Sequence, residues 1–318
     1  MSAGILSQIS LGLESTWGTP VVPNKSLAVR PGDGIQTDND VQFVSSIKAQ
    51  LAKNASSFKG AVKHEGEYEF DFIPGVIGYF LKSVFGQVSS ALKGGESVVY
   101  EHTYSELETK PSLTIEQAVG DIVRRYAGAI ATGLKLSCKT GETLVGNVAF
   151  KAKSSASATK ITPTYEIIRP LNFIDLGAIG FKIGGVSFDE VENIEVEYKN
   201  NIEFLHVLGS NDPYFNYAKA SEVVGKFDLY LNSDSAAKYT DYLNKTDTAL
   251  DIAFTGDLIG ISSNYKLAIN IPKVTFKASS YPVTDDYNLL TVEFEGIYDT
   301  ATSKLLSAVL TNLTVNYT

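Results

Sequence analysis

The chain is poor in the residue types that most often carry chemistry. It holds one cysteine, Cys138, in 318 residues. No intrachain disulfide and no cysteine-based zinc cluster can form, which excludes a secreted, disulfide-stapled module. Cys138 follows Leu134 and Leu136 at period two, so it reads as a small buried strand residue rather than a reactive thiol. Three histidines, His64, His102 and His206, lie far apart and match no common metal spacing. No G-x-S-x-G nucleophile elbow and no G-x-x-x-x-G-K-[ST] phosphate loop occurs. The pairs Gly94-Gly95 and Gly184-Gly185 do not link a strand to a helix, as a dinucleotide site requires, and read as turns. No apolar run approaches the roughly 20 residues of a membrane helix. Met1–Gly18 lacks a basic region followed by an apolar one, so a signal peptide is not expected. Without one, the N-x-[ST] positions Asn24, Asn54, Asn244 and Asn312 carry no meaning.

Positive charge is also scarce: 27 Lys and Arg stand against 36 Asp and Glu, for a net charge of -9. Such a chain does not hold nucleic acid by neutralising phosphates. It can surround nucleic acid without gripping it, since a like-charged wall repels. Hydrophobic residues at 44% and charged residues at 20% are ordinary for a globular protein. At roughly 100–200 residues per domain the length suggests two domains.

Strand patterns dominate what is present. In Gly66–Phe72, GEYEFDF, the residues Tyr68, Phe70 and Phe72 share one face, and Glu67, Glu69 and Asp71 the other. That alternation marks a half-buried strand with an acidic, wet face. Asn193–Phe204 opposes Ile194, Val196 and Tyr198 to Glu195, Glu197 and Lys199. Thr291–Tyr298 sets Val292 and Phe294 against Thr291, Glu293 and Glu295. Two helices are predicted. In Ile73–Phe85, Pro74 suits a first turn, Ile77, Phe80, Leu81, Val84 and Phe85 form an apolar stripe, and Gly86 supplies a C-terminal cap. In Ser233–Leu243, Ser233 or Asp234 caps the start and Ala236, Tyr239 and Leu243 give a weaker stripe.

The two helices sit in matching surroundings. GEYEFDF precedes the first and GKFDLYL, Gly225–Leu231, the second. Pro111–Gln117 follows the first and Thr248–Phe254 the second. Tyr126–Lys139 then matches Tyr265–Ala278, and Gly146–Lys153 matches Leu290–Ile297. The order in each half is strand, helix, strand, then two strands arranged as a hairpin. An internal repeat follows, with copies at 1–160 and 161–318. The join falls in Ser154–Arg169, where Ser154–Lys160 has linker composition. Gln36–Ala61 is either a mobile loop or a long hairpin.

Carboxylate pairs at period two, Glu67/Glu69 and Glu195/Glu197, suit a solvated face or a pore wall, or a glycosidase if a second strand brings the partner acid within about 5–10 Å. Asp212, Asp285 and Asp286 lie in turn-like segments that depart from the regular calcium loop. Trp17, the only tryptophan, can anchor the N-terminal arm to its own domain or to a neighbour.

GLESTWGTPVVP, Gly12–Pro23, resembles the opening of phage tail tube proteins, a Gly-x-Glu-x-x-x-Gly-Thr-Pro stretch matched here by Gly12, Glu14, Gly18, Thr19 and Pro20. Strand and helix at Gly66–Gly86 resemble the family's strand and amphipathic helix, with Leu81 and Gly86 in its Leu-x-x-x-x-Gly positions. His102–Gln117 resembles its histidine-aromatic stretch and Pro-Ser-Leu-Thr strand, and Phe188–Asp212 its mid-chain strand and long connection. Tyr214–Tyr217 departs from the pattern.

The resemblance implies a mainly β fold: two tandem β-sandwich domains, each with one flanking α-helix and long loops. It implies a structural virion protein rather than an enzyme, with no cofactor, no metal and no membrane. Three chains would form a homotrimeric ring of pseudo-sixfold symmetry, and rings would stack into a tail tube through Gln36–Ala61 and Pro170–Phe204. DNA would pass through the lumen without specific binding, past Glu67, Glu69, Asp71, Glu195, Glu197, Glu293 and Glu295. Tape measure protein and tail terminator are the implied partners, with assembly in the host cytoplasm. A carbohydrate-binding or adhesin-like β-sandwich, stacking sugars on some of the 17 tyrosines, is the alternative; a carboxylate hydrolase using Glu67 and Glu195 is a third reading.

Overall fold

A computed structural model describes residues 6–45, 47, 51, 53–281 and 287–317. The expected strands form. The first half contains β1 (Gln8–Leu13), β2 (Lys25–Leu27), β3 (Gln36–Asp38), β4 (Val41–Ser45), β5 (Asn54–Lys59) and β6 (Lys63–Asp71). Helix α1 (Ile77–Phe85) follows, then β7 (Gly86–Leu92), β8 (Tyr100–Glu106), β9 (Leu113–Val119), β10 (Ile122–Lys139), β11 (Val145–Ala152) and β12 (Ser154–Ser157). A 3-10 turn at Phe173–Leu176 leads into β13 (Phe181–Ile183), β14 (Val186–Ser187), β15 (Val191–Lys199), β16 (Glu203–Leu205), β17 (Phe215–Tyr217) and β18 (Glu222–Tyr230). Helix α2 (Ser233–Leu243), β19 (Thr248–Leu258), β20 (Asn264–Ser280), β21 (Leu289–Gly296) and β22 (Ser307–Asn312) complete the chain. The fold is mainly β, as expected.

The pairings link all strands except two hairpins, β4–β5 and β16–β17, into one sheet that wraps the core. Its main run is β3–β6–β11–β10–β15–β18–β21–β20, antiparallel throughout. Strand for strand, β6, α1, β9, β10 and β11 recur as β18, α2, β19, β20 and β21. β6 pairs β11 as β18 pairs β21, and β9 pairs β10 as β19 pairs β20. β10 and β20 are too long to lie flat in a single layer. Each bends at a bulge, at Ala131/Gly133 in β10 and Phe276/Ala278 in β20, so that its first part joins a second layer.

Two strand pairings join the halves among the described residues. β10 of the first half pairs directly with β15 of the second, from Gly133↔Lys199 to Lys139↔Asn193. β22 lies between β20 and β8, pairing with one on each side. Past β22, Tyr317 packs over α1: its hydroxyl donates to the Gly75 carbonyl at 2.7 Å, and Lys82 donates to its carbonyl at 2.6 Å.

One continuous core fills the space between the layers. The inner residues of the main sheet supply Tyr68, Phe70, Phe150, Leu134, Val196, Phe227 and Phe294, all buried. Phe80 of α1 packs edge-on against Phe150 with centroids 5.1 Å apart, while Phe227 meets Phe181 at 5.2 Å. Phe85 of α1 stacks on Tyr198 of β15 at 5.0 Å, joining the two halves.

The structure moves several local boundaries. Pro74–Val76 forms a turn, and the helix starts only at Ile77, so Pro74 precedes it. Gly86 does end it, at φ 106, a conformation glycine adopts without a Cβ penalty. For α2 the cap is Asn232, one residue before Ser233, and its side chain accepts from Asp234 and Ser235. Four of the seven residues of the linker-like Ser154–Lys160 form strand β12, paired with β10. Asn193–Phe204 is not one strand but breaks at residues 200–202. Gln36–Ala61 contains β3 and the β4–β5 hairpin. Tyr214–Tyr217 falls on β17, in the equivalent hairpin of the second half.

Candidate functional site

All seven acids singled out in the sequence project from the same side of the main sheet. The alternation on β6, β15 and β21 buries Tyr68, Phe70, Ile194, Val196, Val292 and Phe294, and so turns Glu67, Glu69, Asp71, Glu195, Glu197, Glu293 and Glu295 outward. The ladder registers align them across strands. Glu195 stands opposite Lys226, which stands opposite Glu293; Glu197 stands opposite Lys135 on one side and Val224 on the other.

The face is mixed in charge rather than purely acidic. Lys135 pairs with Glu195 at 3.0 Å, Lys151 with Glu65 at 3.5 Å, and Lys277 with Glu295 at 3.0 Å. Lys199 meets Glu197 at 3.1 Å and Glu222 at 4.0 Å. At one end, Arg30 bridges Glu69 at 3.1 Å and Asp71 at 2.7 Å. The Asp71 carboxyl is partly desolvated, but the Thr143 hydroxyl and Arg30 outweigh that and hold it below its ordinary range. Glu67 and Glu293 form no ion pair among the described residues, so negative charge stays in excess. Reading strands singly finds Lys199 beside Glu195 and Glu197 but misses Lys135 and Lys151, which stand on the neighbouring strands β10 and β11.

The two rims of this sheet differ. The β4–β5 and β16–β17 hairpins both leave from the Lys63 and Glu222 ends of β6 and β18. Both strands of β4–β5 are exposed along their length, with Phe43 and Phe58 prominent. At the opposite rim, the 3-10 turn at Phe173–Leu176 packs beside the β10–β11 turn, Phe173 donating to the Glu142 carbonyl at 3.0 Å, and leaves Ile174 exposed.

The N-terminal motif does structural work. Glu14 is buried, and its carboxylate accepts from the Gly18 and Gly128 amides, both at 2.9 Å, and from the Ser112 and Thr114 hydroxyls, both at 2.7 Å. Gly18 at φ 77 lets the chain turn back onto its own glutamate. Trp17 closes the cradle: its indole donates to the Gly128 carbonyl at 3.1 Å, Lys153 lies over the ring at 4.4 Å, and Phe204 meets it edge-on at 5.5 Å. The tryptophan thus anchors the arm within its own chain.

The remaining candidates are spread apart. His64 bonds Thr37, His102 bonds Ser90 and Asn312, and His206 bonds the Val62 carbonyl. No three His, Cys, Asp or Glu side chains are grouped to hold a metal among the described residues. Burial pushes the Cys138 thiol up to about 12, which keeps it protonated. Asp212 sits in a turn where Ser210 donates to its carbonyl, while Asp285 and Asp286 lie outside the described residues. Tyr68, Tyr104, Tyr126, Tyr198 and Tyr317 are buried, so these rings serve the core rather than a sugar platform.

The described residues form a mainly antiparallel β protein with one charged sheet face and an N-terminal arm stapled to its own strands. A family model described as phage tail tube protein matches residues 4–296, and the chain belongs to that family. It is therefore a structural component of the virion tail that self-assembles into a tube. No curated protein matches the chain.

Proposed function

We propose that three copies of this chain close a ring of pseudo-sixfold symmetry, and that rings stack into a tube whose lumen conducts the viral genome during ejection. The chain then counts as two tail tube units, 1–160 and 161–318. The observation that carries this reading is the main sheet: two equivalent sets of strands continue into one another through β10 and β15, and the run ends at β3 and β20. Among the described residues, β3 pairs only with β6, and Ser279–Ser280 of β20 pair only with β21. Open edges of this kind recruit further strands, and a closed ring removes them.

In this arrangement the charged face lines the lumen, with Glu67, Glu69, Asp71, Glu195, Glu197, Glu293 and Glu295 on its wall. Excess negative charge repels passing phosphates, and the interspersed lysines limit self-repulsion among the acids. The rims mediate stacking: β4–β5 within Gln36–Ala61 on one side, and the Phe173–Leu176 turn within Pro170–Phe204 on the other. Head-to-tail contact between unlike rims extends without limit. A tape measure protein would occupy the lumen during assembly in the host cytoplasm, and a terminator would cap the last ring. Cryo-electron microscopy of concentrated protein tests this. Tubes with three chains per ring and the acids inside are expected; a monomer at all concentrations and salts, or tubes with this face outside, would overturn it.

A further inference from the structure

The junction inside the chain is a template for the junction between chains. Residues Gln36–Asp38 run along β6 with Thr37 opposite His64, as Glu197–Lys199 run along β18 with Tyr198 opposite Val223. Just beyond each strand the backbone enters the left-handed region, at Asp40 with φ 42 and at Asn201 with φ 49. Asn39 therefore occupies in the first half the position that Asn200 occupies in the second.

The two asparagines differ completely in environment. Asn200 is 1% exposed, and its amide donates to the Val84 carbonyl in the last turn of α1 at 3.0 Å and to the Ala131 carbonyl beside the β10 bulge at 2.7 Å. It clamps the second half onto the helix and strand of the first. Asn39 is exposed, and its side chain makes no hydrogen bond among the described residues. At the matching places of the second half, α2 ends at the exposed Leu243, with the half-buried Tyr242 before it, whose carbonyl accepts from the Lys245 amide and keeps a second lone pair. β20 carries the equivalent bulge at Phe276/Ala278 beside its free edge, with Lys277 exposed between them.

We infer that Asn39 is the clamp between chains, its amide bridging the last turn of α2 and the β20 bulge carbonyl of a second copy. Thr37 replaces Tyr198 and Leu243 replaces Phe85 at this contact, so it buries less aromatic surface than the internal one. Directional bonds from Asn39 then carry more of its specificity.

This inference rests on the ring reading, and one set of experiments separates the two. Wild type, Asn39→Ala and Asn200→Ala are compared by sedimentation and by thermal unfolding. The expected result is that Asn39→Ala raises the concentration needed for assembly about tenfold or more with an unchanged monomer Tm, whereas Asn200→Ala lowers the Tm. In parallel, Asn39→Cys combined with Leu243→Cys should give interchain disulfides on oxidation, and neither single variant should. If wild type assembles and Asn39→Ala assembles equally well, or the double-cysteine chains do not cross-link, the clamp is overturned and the ring reading stands. A drop in monomer Tm for Asn39→Ala would make the residue an intrachain one and also overturn it. If wild type never assembles, both fall.

Discussion

At the scale of single residues, Glu14 is held on all sides. A buried carboxylate is costly unless its oxygens are bonded, and here two amides and two hydroxyls satisfy them. Glu14→Gln keeps the size but turns an amide group toward donors, so about 2–3 kcal/mol of stability should be lost. Trp17→Phe deletes the bond to Gly128 and trims the ring that Lys153 and Phe204 contact, and should cost about 1–2 kcal/mol. Denaturant unfolding followed by circular dichroism checks both. In wild type and in Glu14→Gln, the fluorescence of the single tryptophan also reports whether the cradle opens before the rest of the fold. A Glu14→Gln protein as stable as wild type would mean that the cradle is incidental. The motif was visible in the sequence as a spacing, Gly12 to Pro20, but its purpose was not. The partners Ser112, Thr114 and Gly128 lie about a hundred positions away, beyond any local pattern.

Among elements, the two helices hold equivalent places and differ in burial. α1 buries Ile77, Phe80, Leu81, Val84 and Phe85, whereas Ser235 is the buried residue of α2. Phe80→Ala should therefore cost about 3–5 kcal/mol, while Tyr239→Ala should cost well under half of that. Chemical denaturation of both variants measures the ratio, and equal losses would refute the asymmetry. The difference could be anticipated from the stripes, five apolar residues against a weaker three. What covers α1 could not, because it packs against β7, β8 and β10 and under Tyr317, which comes from more than 200 positions further along the chain. On β8, His102 is buried between Ser90 and Asn312 and beside Tyr317. Burial lowers its pKa below the ordinary 6.5, although Asn312 partly opposes the shift. The unfolded chain then binds the proton first, so this contribution to stability is complete above about pH 6.5 and is lost as the pH falls toward the folded pKa. The thermal midpoint should fall between pH 7.5 and 5, and His102→Gln should flatten that slope; an unchanged slope would shift the cause to His64, which burial also lowers.

For the whole molecule the question is whether two similar halves behave as one body. Alternation made the paired strands legible, since Glu67 and Tyr68 or Glu195 and Val196 announce their faces one residue at a time. Pairing partners were not legible: nothing near Lys135 reveals that β15 lies beside it, and the exposed β4–β5 hairpin lacks a buried face and hence a period. Those non-local pairings decide the mechanics. The β10–β15 ladder, the β22 clasp and the Phe85–Tyr198 stack each cross from one half to the other. By contrast the covalent link, 158–170, contains no helix or strand, and Ile167 within it is fully exposed. Cutting that link should therefore leave the halves together. A protease site inserted at Ile167 should be cleaved readily, giving two bands on a denaturing gel and one species of unchanged size on native gel filtration. Unfolding of the nicked protein should remain a single transition, at a lower midpoint because the separated chains gain entropy once apart. Two peaks on gel filtration, or two separated thermal transitions, would show that each half is held by its own core alone. In that case the shared sheet would be too weak to serve as the pattern for joining one chain to the next.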